Sequence, residues 1–327
     1  MANDIITYLD KAGISYERDV ELKKRTWIHR GGVAKLWITP SSGDELQEVC
    51  AKLYKEHTPF FIIGHTSNIY FSNDYNTDII ISTIKLNSFS QSGGIIVADC
   101  GAAVKSLAKY GVEQGLSGFE GLVDLPGTIG AAVYNNSGCY ECSVAELLDH
   151  IDMIDENGKS VTLTRDDMGY TERSSILKRG EKKGVITKVY LRANPAQDIK
   201  AIQQKAETNH HHRITYQEQP AQTLGSVFPT YVVKAFEKNL NAPTRILLSL
   251  IYKAHSAGLI SFLTRQKAKR DIICVLNGLW TIRQYISERN FNCFIWKDDK
   301  ADEAFFQYKS KVSQISQKEQ TEIEIYQ

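Results

Sequence analysis

The most distinctive chemistry-bearing residues of the chain lie between Gly115 and Tyr140, in the run GLSGFEGLVDLPGTIGAAVYNNSGCY. Glycine and proline disfavour helix interiors, so this run does not predict a conventional amphipathic helix. The same residues let backbone come close to a flat or phosphorylated ligand, with N–H groups turned toward it. A glycine-rich turn alone would not need small residues over so long a stretch. We therefore predict a ligand cradle with the marker residues Gly121, Pro126, Gly127, Gly130, Ala131, Asn136 and Gly138.

A second candidate binding loop follows a short apolar run that predicts a buried strand. The strand ends at a glycine, and the next residues are small or polar. Such a loop offers backbone N–H groups and short polar side chains to a pyrophosphate. The residues expected to contact a phosphorylated cofactor are Gly64, His65, Thr66, Ser67 and Asn68.

Two patterns suggest metal or redox chemistry but have weaker support. Cys139 and Cys142 form a C-x-x-C pair, yet a zinc site needs a second ligand pair at suitable spacing, and the sequence has none. His210, His211 and His212 are consecutive, so they do not share one face of a helix or strand. We expect small buried thiols, a solvated histidine run and no metal.

The cradle and the loop together resemble the flavin-binding signature of the UDP-N-acetylenolpyruvoylglucosamine reductases, the FAD enzymes of muramic acid synthesis. That family's G-x-x-G-x-E stretch, I-P-G-x-x-G-A core and asparagine–glycine end correspond to residues 115–120, 125–131 and 136–138. Its G-x-G-S-N loop corresponds to residues 64–68, where Thr66 replaces the usual second glycine. The expected consequence is tighter geometry or weaker flavin retention.

The resemblance implies an α+β fold, with a two-subdomain FAD-binding module of the PCMH type followed by an α+β substrate-binding domain. The expected FAD-binding subdomains are residues 1–93 and 94–194, and the expected substrate-binding domain is residues 195–327. FAD is the implied cofactor, and NADPH is the implied co-substrate.

Two elements of the same family indicate residues that handle the substrate. The segment DMGYTERSSILKRG resembles the Y-R-x-S-x-F element, which gives Arg173 and Ser175, while Glu172 replaces the tyrosine. Arg213, followed by residues 219–220, resembles the R-x-x-x-Q-P element. We expect Arg173 to be catalytic, and Ser175 and Arg213 to bind substrate.

Two further candidates come from the last third of the chain. The stretch GSVF resembles the family's G-S-x-F element, in which the serine, here Ser226, donates a proton. The C-terminal TEIEIYQ alternates like an edge strand with a solvated acidic face. The family ends on such a strand, and its glutamate aligns best with Glu322, with Glu324 as the alternative.

These residue types suit the reduction of an enolpyruvyl double bond. Arg173 can bind and polarise a carboxylate through its planar fork, and Glu322 can help to hold the carboxyl group. Ser226 can donate a proton once hydride arrives from the flavin. The reaction that the resemblance implies is the FAD-dependent, NADPH-oxidising reduction of UDP-N-acetylglucosamine enolpyruvate to UDP-N-acetylmuramate.

Two alternatives to this reaction stay open. In the family, K-N-P follows the G-S-x-F element, whereas here Pro229 and Thr230 stand in place of the lysine and asparagine. A paralogous flavoenzyme that acts on another nucleotide sugar would fit this change. A protein that binds flavin and nucleotide sugar without turnover is the other alternative.

Composition restricts the partners and the compartment that we expect. The net charge of +1 over 327 residues does not suggest a polyanionic partner. The N-terminus lacks the apolar core of a secretory signal. The most apolar stretch, residues 245–263, contains Lys253 and His255 and is too polar to span a bilayer. We expect a cytoplasmic, monomeric enzyme with a nucleotide-sugar substrate and without nucleic-acid or membrane partners.

Several elements that must position these residues can be predicted from local patterns. They are a helix over 4–11, a helix capped by Ser41 or Ser42 that ends near Tyr54, a hairpin turning at Asn157-Gly158, a strand over 185–191, a polar helix over 198–207, a strand-like run over 291–299, and a helix with Phe305, Tyr308, Val312 and Ile315 on one face.

Overall fold

The computed structural model describes residues 2–218, 222–258 and 265–327, which contain both helices and strands. The α+β class expected from the sequence is therefore confirmed. The chain divides into two compact units. The first comprises Met1–Thr66 and Asn73–His211, and the second comprises Ser67–Ser72 and His212–Gln327. The three-part division at residues 93 and 194 stays a prediction.

The α-helices lie mainly where hydrophobic periodicity predicts them, at least outside residues 229–290. In chain order they are α1 (Ala2–Ala12), α2 (Gly43–Lys55), α3 (Val104–Glu113), α4 (Ile129–Asn135), α5 (Val144–Leu147), α6 (Ile199–Tyr216), α7 (Thr230–Asn239), α8 (Ala242–Ser256), α9 (Arg265–Leu276) and α10 (Ala301–Ser316). Ser42 caps α2 by accepting a hydrogen bond from Glu45 N at 3.2 Å, so one of the two predicted caps is confirmed.

The first unit contains two larger sheets and one short strand pair, and the second unit contains another short strand pair. In chain order they are β1 (Tyr16–Glu21), β2 (Val33–Ile38), β3 (Phe61–Ile63), β4 (Ile69–Phe71), β5 (Thr77–Ser82), β6 (Phe89–Ser92), β7 (Ile95–Asp99), β8 (Gly138–Cys139), β9 (Cys142–Ser143), β10 (Leu148–Asp155), β11 (Ser160–Thr164), β12 (Gly184–Arg192) and β13 (Glu324–Tyr326). The four-stranded sheet has the order β1-β2-β5-β3, and the five-stranded sheet has the order β11-β10-β12-β7-β6.

The predicted hairpin at Asn157-Gly158 joins β10 and β11 and is confirmed. Gly158 has φ of 75°, which a residue with a side chain rarely adopts. The Asp155 carboxylate accepts hydrogen bonds from the N–H groups of Asn157 and Lys159, at 2.9 and 2.8 Å. A local turn signal therefore fixes this edge of the five-stranded sheet.

The second unit has an aromatic core around α10. Phe305 and Tyr308 are fully buried, and Val312 is nearly so, which confirms the predicted face, while Ile315 is half-buried. The Tyr308 hydroxyl donates a hydrogen bond to Phe291 O at 2.8 Å. The strand β13 pairs in parallel with β4, so the C-terminus is anchored beside residues 67–72.

Three predictions differ from the structure. The cradle contains the two-turn helix α4, which the glycine and proline content argued against. The strand-like run over 291–299 forms only isolated bridges, at Cys293 and Phe294. Helices α7, α8 and α9 occupy a region for which no element was predicted. Within the described part of the chain, no helix combines the length and hydropathy needed to cross a bilayer.

Candidate functional site

Backbone hydrogen bonds join the start of the cradle to the loop that precedes α3. Gly130 N donates to Cys100 O at 2.8 Å, Ile129 N to Ala102 O at 2.8 Å, and Val104 N to Gly127 O at 3.1 Å. We call this pairing of residues 100–104 with 127–130 the cradle seam. Because α4 begins at the seam, these bonds determine where the helix lies.

The glycines of the cradle make room for the chain itself. A Cβ at Gly130 would lie 2.9 Å from both Cβ and O of Cys100, and a Cβ at Gly121 would lie 2.5 Å from Cys142 Sγ. A Cβ at Gly64 would overlap the Thr128 side chain. The sequence interpretation assigned these glycines to close approach by a ligand. The structure shows that their missing side chains are required for packing between segments, and ligand contact by their backbone stays a prediction.

The loop over 64–68 contains a strained residue with a compensating contact. Thr66 has φ of 55°, in the left-handed region that favours glycine, which explains why the family usually has glycine there. Its buried hydroxyl accepts a hydrogen bond from Trp27 N at 2.8 Å. This bond holds the loop in the glycine-like conformation without glycine.

The surroundings of His65, in the same loop, favour the neutral form of its imidazole ring. Burial, first, and the charge of Lys105, second, lower the pKa of His65, while a hydrogen bond with the Gly127 backbone opposes them. Near neutral pH the side chain therefore adds no full positive charge to the loop.

The end of α4 is tied to the segment that carries Arg173 by three side-chain hydrogen bonds. Asn136 Nδ2 donates to Thr171 O at 2.9 Å, Ser175 Oγ to Tyr134 O at 2.7 Å, and Lys178 Nζ to Asn135 Oδ1 at 2.6 Å. We call this set the α4 clamp. Arg173 lies at the tip of a tight turn closed by Thr171 and Ser174, with φ of 55°. The α4 clamp therefore ties the strained turn at Arg173 to α4, and the cradle seam fixes the start of that helix.

Ser175 is fully buried and serves this clamp. Besides donating to Tyr134 O, its hydroxyl accepts from Lys178 N at 3.2 Å. Its contact with substrate, which the resemblance implies, stays a prediction. The observed bonds give Ser175 a positioning role near Arg173.

Buried polar atoms without a hydrogen-bond partner help to decide whether the residues around the cradle fit FAD. In the described part of the first unit, the buried side-chain atoms that lack a partner are Ser82 Oγ, Asn136 Oδ1 and Tyr170 Oη. Ser82 pairs with Ile63, immediately before the 64–68 loop, and Tyr170 precedes the Thr171 that Asn136 contacts. Burial raises the pKa of Tyr170, so its hydroxyl remains a donor.

Buried polar atoms without partners are rare, so three of them around one cradle indicate a missing polar ligand. FAD carries hydroxyl, amide and phosphate groups that could satisfy both donors and acceptors. The residues present therefore fit the cofactor, and Ser82 and Tyr170 are candidates that the sequence analysis did not include.

In the second unit the structure brings Ser226 and Glu322 together. Glu322 N donates to Val227 O at 2.8 Å, so the residues that follow Ser226 and precede β13 are paired. Asn68 Nδ2 donates to Glu322 O at 3.1 Å, and Asn68 O accepts from Glu324 N at 2.9 Å. Two predicted catalytic residues and one predicted cofactor residue thus meet in one place.

Asn292 positions Ser226 and was missed by the sequence analysis. Its side chain pairs with both backbone groups of Phe228, accepting from N at 2.9 Å and donating to O at 2.7 Å. Its own O accepts from Val227 N at 2.8 Å. Nothing in the local sequence links residues so far apart, so no sequence signal could have identified the contact.

The two candidate glutamates have different surroundings. Glu324 begins β13 opposite Ile69, and its carboxylate accepts a hydrogen bond from Tyr326 Oη at 3.2 Å. Glu322 lies before the strand and is half-buried. The choice of Glu322 stays a prediction.

The remaining predicted residues lie in ordinary structural contacts. Arg213 lies near the end of α6, where Nη1 donates to Gln217 Oε1 at 2.9 Å, and residues 219–220 of its motif lie outside the described residues. Cys139 and Cys142 face each other across the β8–β9 hairpin as free thiols. His210 contacts Asp124 through Nδ1 and Oδ2 at 2.5 Å.

Gly130→Ala should damage the cradle seam. The new Cβ would meet the Cys100 backbone, and such overpacking costs about 1–3 kcal/mol. We expect a lower unfolding temperature and less bound flavin, measured by thermal unfolding and by visible absorbance. Gly94→Ala is the matched control, because a Cβ there meets nothing within 4 Å. Equal behaviour of the two variants would argue against the seam.

Ser175→Ala should disturb Arg173 through the α4 clamp. Loss of the hydrogen bond from Ser175 Oγ to Tyr134 O should cost about 0.5–1.5 kcal/mol. We expect a higher KM for the substrate that the resemblance implies, while flavin reduction by the implied co-substrate, NADPH, stays unchanged. Lys178→Met should have the same effect, and Lys178→Arg should retain part of the wild-type KM. The exposed Ser160→Ala serves as control, and a pure stability loss without a KM change would contradict the positioning role.

Comparison with known proteins identifies the family. Residues 34–164 match a family model described as an FAD binding domain. Over 224 residues the chain is 34% identical to the UDP-N-acetylenolpyruvoylglucosamine reductase of Caldicellulosiruptor bescii, which covers 68% of this chain and 70% of that protein. It is 32% identical over 161 residues to the protein of the same name from Staphylococcus aureus, covering 49% of this chain and 52% of that one.

A solved structure agrees at the level of the fold. The crystal structure of the UDP-N-acetylenolpyruvylglucosamine reductase from Thermus caldophilus is similar with a TM-score of 0.65 and 19% identity, covering 96% of this chain and 100% of that chain. The FAD-binding module expected from the cradle and the loop is confirmed by the domain match. With a relative that is 34% identical over two thirds of both proteins, the chain belongs to the UDP-N-acetylenolpyruvoylglucosamine reductase family.

Proposed function

We propose that this chain catalyses the FAD-dependent, NADPH-oxidising reduction of UDP-N-acetylglucosamine enolpyruvate to UDP-N-acetylmuramate. The observation that carries the proposal is the pairing of the Ser226 segment with Glu322, through the bond from Glu322 N to Val227 O of 2.8 Å, in a member of this family. Bound FAD supplies the hydride that adds to the enolpyruvyl double bond.

The proposed roles of the protein residues follow from their chemistry. Arg173 binds the substrate carboxylate and draws electron density from the double bond. Ser226 donates the proton to the carbon next to the one that receives hydride, and Glu322 holds the carboxyl group in place. Cofactor contacts are assigned to the residues 64–68 and to the cradle, with Ser82, Asn136 and Tyr170 completing the buried polar contacts.

Reaction on another nucleotide sugar is the second candidate, and one feature favours it. Pro229 and Thr230 begin helix α7, so the position of the family's lysine and asparagine is the start of a helix here. A proline cannot replace the lysine's charge. The family's cation beside the substrate is thus absent at this position, which would suit a substrate with different charge or shape.

Spectroscopy of the purified protein separates these functions. A visible flavin spectrum that NADPH bleaches, and that UDP-N-acetylglucosamine enolpyruvate restores, supports the proposed reaction. Restoration only by a different enolpyruvyl nucleotide sugar supports the second candidate. A flavin spectrum that no such substrate restores indicates a binding protein, and a colourless protein that does not take up FAD would refute all three.

Ser226→Ala should separate the two half-reactions. Loss of the proton donor should slow flavin reoxidation by substrate by about 100-fold or more, because positioned general acids contribute that much. Flavin reduction by NADPH should remain close to wild type in stopped-flow measurements. The exposed Ser310→Ala is the control, and equal loss of both half-reactions would remove Ser226 from the assigned role.

Glu322→Gln should reduce turnover more than Glu324→Gln. We expect at least about a tenfold fall in kcat/KM for the first variant, and a change of less than about twofold for the second. Both changes remove one charge and keep the shape, so each variant is the control for the other. The reverse order would move the assignment to Glu324.

A further inference from the structure

Helix α8 has a second apolar face that the core does not use. Thr244 and Leu248 are buried and fix the inner side of the helix. Ile246, Leu247 and Leu250 are 61%, 39% and 58% exposed, respectively. At 100° per residue, Ile246 and Leu250 lie about 40° apart on the side opposite the buried pair, and Leu247 lies at the edge of this side, about 60° from Leu250. We call them the α8 outer face.

Helix α8 and the sequence around it are rich in basic residues. Helix α8 contains no acidic residue but carries Arg245 and Lys253. Residues 230–285 contain nine lysines and arginines and two acidic residues, which gives a net charge of +7 in a chain whose total is +1. Several of these cations are paired: Lys267 contacts Glu288, Lys269 contacts Glu237, and Arg270 contacts Asp271 and Glu288. The cations that α8 itself offers are Arg245 and Lys253.

We propose that the α8 outer face docks on the surface of an anionic lipid bilayer, with the helix axis parallel to the membrane plane. Helices with an apolar stripe, basic flanks and too little hydropathy to span a bilayer bind at the interface in this way. Anionic headgroups attract lysine and arginine side chains that lie near the membrane surface. The apolar side chains then insert at the boundary between headgroups and acyl chains.

Other occupants fit this surface less well. A second copy of the chain would bring two segments of net charge +7 together, and these repel each other. A nucleic acid would match the charge but not three exposed aliphatic side chains, because single strands stack on aromatic rings. A folded protein partner needs roughly 800 Å² on each side, more than three side chains supply.

The α8 outer face lies in residues 245–263, the stretch that is too polar to span a bilayer. We expected no membrane partner because this stretch is too polar to span a bilayer and the net charge of the chain is close to zero. Docking at the interface is a different mode of binding, which needs neither a spanning segment nor a basic chain overall. Docking does not depend on the proposed reaction, so a vesicle assay tests it whether or not the enzyme turns over its substrate.

Co-sedimentation with vesicles tests the apolar contribution. The full chain should pellet with vesicles that contain phosphatidylglycerol and not with pure phosphatidylcholine, and added salt should weaken binding. Ile246→Ser with Leu250→Ser should lower the partition coefficient by about tenfold or more. The control is Ile199→Ser with Ile214→Ser, which alters residues on α6 that are 49% and 43% exposed. The control pair should change binding by less than about twofold.

A charge-reversal pair tests the local electrostatic contribution. Arg245→Glu with Lys253→Glu should abolish binding, whereas Lys11→Glu with Lys159→Glu, at exposed sites on α1 and before β11, should reduce it only slightly. Equal loss in both pairs would show an effect of net charge alone and overturn the proposal. No pelleting of the parent, or equal pelleting with both lipids, would also overturn it.

Light scattering tests whether a second copy of the chain, rather than a lipid surface, covers the α8 outer face. A monomeric parent, with variants that keep its circular dichroism and its NADPH-oxidising activity, supports a lipid surface. A dimer that dissociates in the Ile246→Ser, Leu250→Ser variant would assign the α8 outer face to a second copy and overturn membrane docking.

Discussion

The cradle seam is the contact on which the rest of the site in the first unit depends. Two backbones can pair at residues 100–104 and 127–130 only if no side chain separates them, and Gly130 meets that condition. The seam fixes the first turn of α4, and α4 carries the clamp at its other end. Arg173 thus receives its position from a glycine more than forty residues earlier in the chain.

Local elements of the fold could be predicted because their signals lie within a few residues. Ser42 caps α2, and Asn157-Gly158 turns a hairpin, as their types suggest. The pairing of Ser226 with Glu322 could also be anticipated, but only through resemblance to a family. Neither residue type is informative alone, since serines after glycine and glutamates in edge strands are common.

The other features depend on contacts between distant residues or on competing local preferences. Glycine and proline argued against a helix in the cradle, yet α4 forms because Pro126 and Gly127 precede it and the seam orders its first turn. Asn292 is invisible in sequence because its partner, Phe228, lies in another segment. Helix α8 is hard to predict because its apolar residues are divided between a buried and an exposed side, which obscures the periodicity.

In both units, hydrogen bonds from neighbouring residues hold the backbone around the candidate catalytic side chains. The Ser226 segment is held by the side chain of Asn292 and by the backbone bond to Glu322, and neither bond uses the Ser226 hydroxyl. Arg173 is held through Thr171, Ser175 and the helix end. Such hydrogen bonds fix the backbone around each candidate group. Asn292 holds both backbone groups of Phe228, next to Pro229, so a replacement at position 229 does not require the backbone at Ser226 to move.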